Sequence, residues 1–261
     1  MIRRLLLSSV ASVALCGSGA FAQAPAPADQ AAPRTDANSL KAHEQLLEKA
    51  KQGGIDVYFV GDSITRRWGA TDYPQFLANW NQNFHGWNAG NFGWGGDTTQ
   101  NILWRLDNGE LDAVNPKVIV ILAGTNNVGR EVGNEAKVAD VTRGLKAIVD
   151  RCRAKAPNAP LVLTAIFPRN DNPAVVPTLN AINAGLARLA DALGPLLSQV
   201  PAPIGSKRPA DLLQQIVERL LVHGRDPHAD AGRVVVGASD VERSEEHTSE
   251  LQSLRHLVCR L

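Results

Sequence analysis

Short apolar segments alternate along this chain with longer amphipathic ones, and this alternation constrains the fold more than any other feature. The segments IDVYFV, VIVIL and LVLT carry apolar and β-branched side chains on successive positions, as strands buried between two layers of helices do. The sequences between and after them place apolar residues at helical spacing over several turns. This pattern predicts an α/β fold with a parallel sheet and helices on both of its faces.

Three small polar motifs follow predicted strands. They are GDSIT at residues 61–65, NFGWGGDTT at residues 91–99 and AGTNN at residues 123–127. Loops after neighbouring strands converge at the carboxyl edge of a doubly wound sheet, so we expect Ser63, Gly96 and Asn126 to line one cleft. Each motif alone also fits ordinary turn chemistry, and Asp62 is expected to cap the helix that follows it. Together they supply what acyl transfer needs, namely a hydroxyl nucleophile and N–H donors for a developing oxyanion.

The three motifs, in this order, resemble the first three blocks of the SGNH (GDSL-type) hydrolase family. The stretch 91–129 is similar to the branch of that family that contains the platelet-activating-factor acetylhydrolase catalytic subunits. The resemblance implies a flavodoxin-like three-layer αβα sandwich and ester hydrolysis through an acyl-serine, without a cofactor. It also implies that Ser63 is the nucleophile, and that the N–H groups of Ser63 and Gly96 and the side chain of Asn126 form the oxyanion hole.

The fourth block of the family, Asp-x-x-His, has no regular match in this chain. None of His43, His85, His223 and His228 has an aspartate three residues before it. The nearest substitute is RDPHADAG, in which Asp226 precedes His228 by two residues, and we predict this pair as the catalytic aspartate and histidine. The alternative is that the C-terminal part of the chain is out of frame. The chain as written would then lack its base and be inactive.

The two ends of the chain are expected to lie outside the catalytic domain. Residues 1–22 have two arginines, an apolar stretch and a final Ala-Phe-Ala, the pattern of a signal peptide for export to the periplasm or the medium. Residues 23–37 are rich in proline and alanine and predict a flexible leader. The hydrolase domain is expected at 38–193, followed by a part of doubtful frame at 194–242, so that the C-terminal part of the fold is incomplete. Residues 243–253, RSEEHTSELQS, match the translation of a sequencing-library adapter, and we interpret 243–261 as an artefact.

Composition excludes several other functions. The net charge of +1 gives no electrostatic basis for binding nucleic acid, and beyond the signal peptide no segment is apolar enough to span a membrane. No histidine or cysteine cluster has metal-ligand spacing, and Cys152 is the one cysteine left in the predicted mature domain, which excludes an intramolecular disulfide.

The sequence therefore predicts a carboxylic-ester hydrolase for short acyl esters. Acetyl groups on carbohydrate are the favoured substrate. A lysophospholipase-like esterase and a non-catalytic carbohydrate-binding relative that lacks the histidine remain as alternatives. The sequence does not indicate an oligomeric state.

Overall fold

The computed structural model describes residues 26–84, 86–167, 169, 171–193 and 258–260. The helices are α1 (Ala37–Gln52), α2 (Ser63–Trp68), α3 (Pro74–Phe84), α4 (Thr99–Arg105), α5 (Thr125–Val128), α6 (Glu135–Lys155) and α7 (Val176–Leu193). The strands are β1 (Val57–Gly61), β2 (Ala89–Gly93), β3 (Val118–Leu122), β4 (Leu161–Thr164) and β5 (Val258–Arg260). A π-helical turn (Leu106–Glu110) continues α4, and a 3₁₀ turn (Pro173–Val175) leads into α7.

The strands form one sheet in the order β2-β1-β3-β4-β5. Strands β1 to β4 are parallel, and β5 runs antiparallel along β4. The order of the four parallel strands is that of flavodoxin-like folds, in which the chain changes direction across the sheet between β1 and β3. The predicted α/β class, with its parallel sheet, is confirmed.

Side chains of the central strands alternate between two apolar layers. Tyr58 and Val60 of β1 face the layer covered by α1, α4, α6 and α7, whereas Phe59 faces the opposite layer, against Trp68 of α2 and Phe84 of α3. Strand β3 repeats the alternation, since Ile119 and Ile121 join the first layer and Val118 and Val120 the second. Apolar residues on both sides of a strand are the reason that these segments form continuous apolar runs in the sequence.

The proline- and alanine-rich segment, predicted to be a flexible leader, is instead bonded to helices of the domain over its described residues. Residues 26–36, which we call the N-terminal strap, lie against α4 and α6. Ala28 is fully buried, its carbonyl accepts a hydrogen bond from Thr99 Oγ1 at 2.7 Å, and its N–H donates to Asp140 Oδ1 at 3.1 Å. Further along, the Ala32 N–H donates to the Gln100 carbonyl at 3.0 Å. An extended segment bonds few of its own backbone groups, so they are free to pair with a neighbouring surface, which composition alone does not reveal.

Several sequence predictions concern residues outside the described part of the chain. These are the signal peptide at 1–22, the segment 194–242, and with it Asp226 and His228. Of residues 243–261, the structure describes the three that form β5. In the described part of the chain, no helix combines the length and apolarity that a membrane crossing requires.

The packing of the strap predicts an inverted effect for a glycine substitution in α6. Replacing a glycine inside a helix by alanine ordinarily stabilises a protein by roughly 0.5–1 kcal/mol. A Cβ atom on Gly144 would lie 2.6 Å from both the Ala28 carbonyl oxygen and Thr99 Oγ1. We therefore expect Gly144→Ala to lower the free energy of unfolding by about 1–3 kcal/mol in urea titrations, the usual effect of overpacking.

The matched control is Gly185→Ala in α7. There a Cβ atom would lie 3.0 Å from Thr142 Oγ1 at its nearest, so we expect a smaller loss of stability. If Gly144→Ala stabilised the protein, residues around Ala28 would not pack against α6.

Candidate active site

Three loops leave the sheet at one level, because the strand register aligns their starting points. Gly61 at the end of β1 is paired with Gly93 of β2 on one side and with Leu122 of β3 on the other. Ser63 follows Gly61 by two residues, and Asn126 follows Leu122 by four. This edge, beside the point where the strand order reverses, is where open α/β sheets bind their ligands.

Hydrogen bonds join the three loops to one another. The Trp94 N–H donates to the Gly61 carbonyl at 3.2 Å, which connects the second loop to the first. Asn126 Nδ2 donates to the Asp97 carbonyl at 2.7 Å, which connects the third loop to the second. The structure therefore gathers the loops that carry Ser63, Gly96 and Asn126 at one edge of the sheet. Their catalytic roles remain predictions.

Ser63 is the first residue of α2 and is half-buried. The preceding Asp62 is the N-cap of α2, and its Oδ1 accepts from the Ile64 N–H at 2.9 Å, as the sequence predicts. The strand-to-helix turn lies directly on the end of β2. A Cβ atom on Gly93 would lie 2.4 Å from the backbone nitrogen of Arg66 and 2.8 Å from the Asp62 carbonyl oxygen. Glycine at position 93 is thus what allows the two loops to approach.

Gly96 occupies the third position of a tight turn from Trp94 to Asp97. The Asp97 N–H points to the Trp94 carbonyl at 3.5 Å, and Gly96 has a φ of 80° whereas Gly95 has no positive φ. A positive φ at the third position alone is typical of a type II turn, which favours glycine there. Gly96 itself is exposed, so its backbone is accessible to a ligand.

The two asparagines of the AGTNN motif have different partners. Asn126 uses one of its two amide hydrogens on the Asp97 carbonyl, as described above. Asn127 fastens the loop to the start of α4. Its Oδ1 accepts from the Thr99 N–H at 2.9 Å, and its Nδ2 donates to Gln100 Oε1 at 2.8 Å. The motif thus combines a candidate ligand-binding amide with a structural one.

Sequence reasoning missed the buried residue that connects these loops, Arg105 of α4. Its Nη2 donates to the Gly61 carbonyl at 3.2 Å and its Nη1 to the Phe92 carbonyl at 3.1 Å. Its Nε donates to Asp97 Oδ2 at 2.7 Å, and it also pairs with Glu110. The available signal was an arginine within NILWRL, one residue before Leu106 on the apolar side of a predicted helix. An arginine so placed needs buried acceptors.

His43 is the one histidine in the described part of the chain. Its Nδ1 lies 2.8 Å from Glu110 Oε1, and its ring packs at a tilt on Trp104 with centroids 4.8 Å apart. These partners belong to α4 and its π-helical extension rather than to the three loops. The predicted base His228 and its partner Asp226 lie outside the described residues, so their roles also remain predictions.

Burial changes the proton affinity of two carboxyl groups beside the loop that carries Ser63. Burial, opposed by the hydrogen bond from the Ile64 N–H and aided by the nearby Asp97 carboxylate, raises the pKa of Asp62 from its ordinary 3.8 to about 6. Burial also raises the pKa of Asp97, although the adjacent Arg105 guanidinium opposes that change. Within the ranges that the structure describes, no three histidine, cysteine, aspartate or glutamate side chains form a group able to hold a metal ion.

The fold and the three loops define a hydrolase-like site on an α/β sheet, with a serine at a strand-to-helix turn. The profile of the GDSL-like lipase/acylhydrolase family matches residues 59–215, and the chain belongs to that family. The predicted family resemblance is confirmed.

Curated relatives include subunits of platelet-activating factor acetylhydrolases. The chain is 35% identical over 138 residues to platelet-activating factor acetylhydrolase IB subunit alpha1 of Bos taurus, covering 53% of this chain and 54% of that protein. It is 37% identical over 134 residues to the alpha2 subunit of Homo sapiens, covering 51% of this chain and 53% of that protein. The chain thus spans about half the length of the curated relatives it matches.

Solved structures of bacterial proteins are also similar. A GDSL-like lipase from Bacteroides thetaiotaomicron has a TM-score of 0.41 and 21% identity, over 56% of this chain and 66% of that one. A member of the lipolytic G-D-S-L family from Veillonella parvula has a TM-score of 0.43 and 16% identity, over 65% of this chain and 97% of that one.

The raised pKa of Asp62 predicts how stability changes with pH. Between about pH 4 and pH 6 the folded chain holds a proton on Asp62 that the unfolded chain has lost, so this group makes stability fall as the pH rises through that window. In an Asp62→Asn variant, the new amide side chain keeps a capping oxygen for the Ile64 N–H but carries no charge. Relative to the parent, we expect the variant to gain on the order of 2 kcal/mol between pH 4 and pH 7.

Urea titrations of parent and variant at several pH values measure this difference. Parallel stability curves across the window would show that Asp62 titrates normally in the folded chain.

Proposed function

We propose that this chain hydrolyses carboxylic esters with Ser63 as the nucleophile. The observation that carries the proposal is the joining of the Ser63, Gly96 and Asn126 loops at the carboxyl edge of the sheet, in a chain of the GDSL-like lipase/acylhydrolase family. Three loops bring one hydroxyl and several N–H groups to the same edge of the sheet. Acyl transfer uses such groups as the nucleophile and as the donors that stabilise the oxyanion.

In the proposed reaction, Ser63 Oγ attacks the ester carbonyl carbon while a base removes the hydroxyl proton. The carbonyl oxygen becomes an oxyanion that accepts hydrogen bonds from the N–H groups of Ser63 and Gly96 and from the Asn126 amide. Collapse of this intermediate breaks the bond to the alcohol, which leaves with the proton from the base. Water, deprotonated by the same base, then attacks the acyl-serine and releases the carboxylic acid.

The base in this proposal is His228, oriented by Asp226. A serine hydroxyl is a weak nucleophile until a neighbouring group takes its proton, so the proposal requires such a residue. The rival function is that of a non-catalytic relative that binds an acetylated carbohydrate. This rival is supported by the distance along the chain between Asp226 and His228. Asp226 precedes His228 by two residues, whereas the aspartate of the family block precedes its histidine by three.

For the substrate, we propose a short acyl group, with acetyl first. The support is the name of the curated relatives, which are acetylhydrolases. For the alcohol half, carbohydrate hydroxyls are the first candidates. Lipid alcohols are the second, because the family that the chain belongs to is described as one of lipases as well as acylhydrolases. A lysophospholipid with a long acyl chain is the remaining alternative.

The first test is the loss of turnover in Ser63→Ala. We expect the full chain to hydrolyse p-nitrophenyl acetate faster than p-nitrophenyl octanoate, and we expect Ser63→Ala to lower kcat/KM by at least about 10³-fold. Ser63 is half-buried at the start of a helix, so the thermal midpoint of the Ser63→Ala variant should differ little from that of the parent. The His228→Ala variant should lose activity similarly.

Three outcomes would contradict parts of this proposal. Activity of Ser63→Ala within tenfold of the parent would exclude Ser63 as the nucleophile. A preference for octanoate would favour the lysophospholipase-like alternative. A folded parent chain that binds an acetylated oligosaccharide without hydrolysing it would establish the non-catalytic relative.

The second test separates the two adjacent asparagines. We expect Asn126→Ala to lower kcat by roughly 10²–10³ with a smaller change in KM, because one oxyanion donor is lost. Asn127→Ala is the matched control. It removes the acceptor of the Thr99 N–H and so should lower the thermal midpoint, while kcat stays within about tenfold. An effect of Asn126→Ala confined to KM would mean that this amide binds the ground state and not the oxyanion.

A further inference from the structure

We propose that Arg34 of the N-terminal strap is a positioning residue that sets the direction of the Gly96 N–H by holding the Gly95 carbonyl. The inference rests on the proposed function, because Gly96 matters to catalysis only as an oxyanion donor. Its structural part, control of one peptide plane by a strap residue, can be measured without any substrate.

The contacts of Arg34 place its guanidinium on the turn that carries Gly96. Its Nη1 donates to the Gly95 carbonyl at 3.2 Å and lies 3.6 Å from Asp97 Oδ1. The same nitrogen would lie 3.1 Å from a Cβ atom on Gly96. The side chain of Arg34 is 35% exposed, so it lies at the boundary between the turn and solvent.

The geometry of a peptide bond links the contact at Gly95 to the direction of the next N–H. The bond between Gly95 and Gly96 is trans, so its carbonyl and its N–H lie in one plane and point in opposite directions. A donor that holds the Gly95 carbonyl on one side therefore directs the Gly96 N–H to the other side. The contact fixes this orientation through the backbone, without touching the oxyanion itself.

The turn needs such a contact because its own sequence does not select one orientation. Type I and type II turns differ by a rotation of about 180° of the central peptide, which here joins Gly95 to Gly96. Glycine at both central positions makes both types accessible, and no atom of the described residues lies within 4 Å of a Cβ atom built on Gly95. Because Arg34 binds the Gly95 carbonyl as the type II turn presents it, its charge favours that type. The same hydrogen bond polarises the amide and makes its N–H a stronger donor.

Arg34 is itself fixed in place by the start of α1. Its Nε donates to Asp36 Oδ2 at 3.0 Å, and its Nη2 lies 2.9 Å from the same oxygen. Asp36 caps α1, since its Oδ1 accepts from the Ser39 N–H at 3.0 Å, and this bond holds the pKa of Asp36 below its usual range. Ser39 in turn accepts a hydrogen bond on Oγ from Trp94 Nε1 at 3.0 Å. The strap and the first turn of α1 thus contact the loop at both Trp94 and Gly95.

The kinetic test compares Arg34→Met with a variant that loosens the strap elsewhere. With p-nitrophenyl acetate and the full chain, we expect Arg34→Met to lower kcat by about 10–100-fold, a part of the loss for one oxyanion donor, with KM changed less than about threefold. Arg34→Lys keeps a positive charge but lacks the planar guanidinium with its several N–H donors, so it should retain more of kcat than Arg34→Met. The control is Arg143→Met, because Arg143 pairs with Asp29 of the strap and with Asp140 of α6 but not with the turn. Its kcat should stay within about twofold of the parent.

Equal losses of kcat in Arg34→Met and Arg143→Met would overturn the proposal, because they would show that Arg34 acts only by holding the strap. An unchanged kcat in an active Arg34→Met enzyme would overturn it as well.

A second measurement uses the ¹H–¹⁵N resonance of Gly96 and separates this inference from the proposed function. In Arg34→Met we expect this resonance to shift and broaden as the central peptide exchanges between two orientations, whereas Arg143→Met should leave it in place. A parent chain without esterase activity that shows these changes would refute the proposed reaction and support the role of Arg34. A Gly96 resonance unmoved by Arg34→Met would refute the role of Arg34 whatever the activity.

Discussion

The candidate site depends on one buried cation, the guanidinium of Arg105. At this edge of the sheet Arg105 donates to two strand carbonyls, that of Gly61, which the Trp94 N–H also bonds, and that of Phe92. It also forms ion pairs with Asp97 and Glu110, two carboxyl groups that are fully buried. Removing one member of a buried ion pair typically destabilises a protein by about 3–5 kcal/mol, because the other charge stays buried without a partner. Arg105 therefore holds the end of β1, the loop after β2 and the end of α4 together.

The order and class of the helices and strands could be predicted from the sequence because burial on two faces leaves a clear pattern. The predicted strand PKVIVILAG and the predicted helix EAKVADVTRGLKAIVDRCRAKAP correspond to β3 and α6 in the structure. The motifs of the site were visible because glycine, asparagine and serine at strand ends are local signals. The strap was not, because the alanine- and proline-rich residues around Ala28 are held by backbone bonds to distant helices, and such bonds leave no pattern in the segment itself. The partners of Arg105 were hidden for the same reason, since two of them are backbone carbonyls.

The burial of Asp62, directly before Ser63, lowers stability although it is compatible with the local geometry of the turn. Asp62 is fully buried, and its Oδ2 has no hydrogen-bond partner among the residues that the structure describes. A neutral cap such as serine or asparagine would satisfy the Ile64 N–H at less cost in desolvation. Residues that break a local rule in this way tend to concentrate at functional sites, where geometry outweighs stability. The burial of Asp62 directly before Ser63 fits that tendency, and its neutral form at acidic pH reduces the loss of stability.

The parts of the candidate site differ in how far they depend on one another. The contacts that hold the turn at Gly96 and the amide of Asn126 all come from elements between the strap and α5, and none of those described comes from β4 or α7. The turn at Gly96 and the amide of Asn126 are therefore supported within the N-terminal half of the sheet. The predicted base, His228, comes from a later part of the chain, outside the described residues. Because an oxyanion hole retains some catalytic power without the base, the two halves can be lost or altered separately.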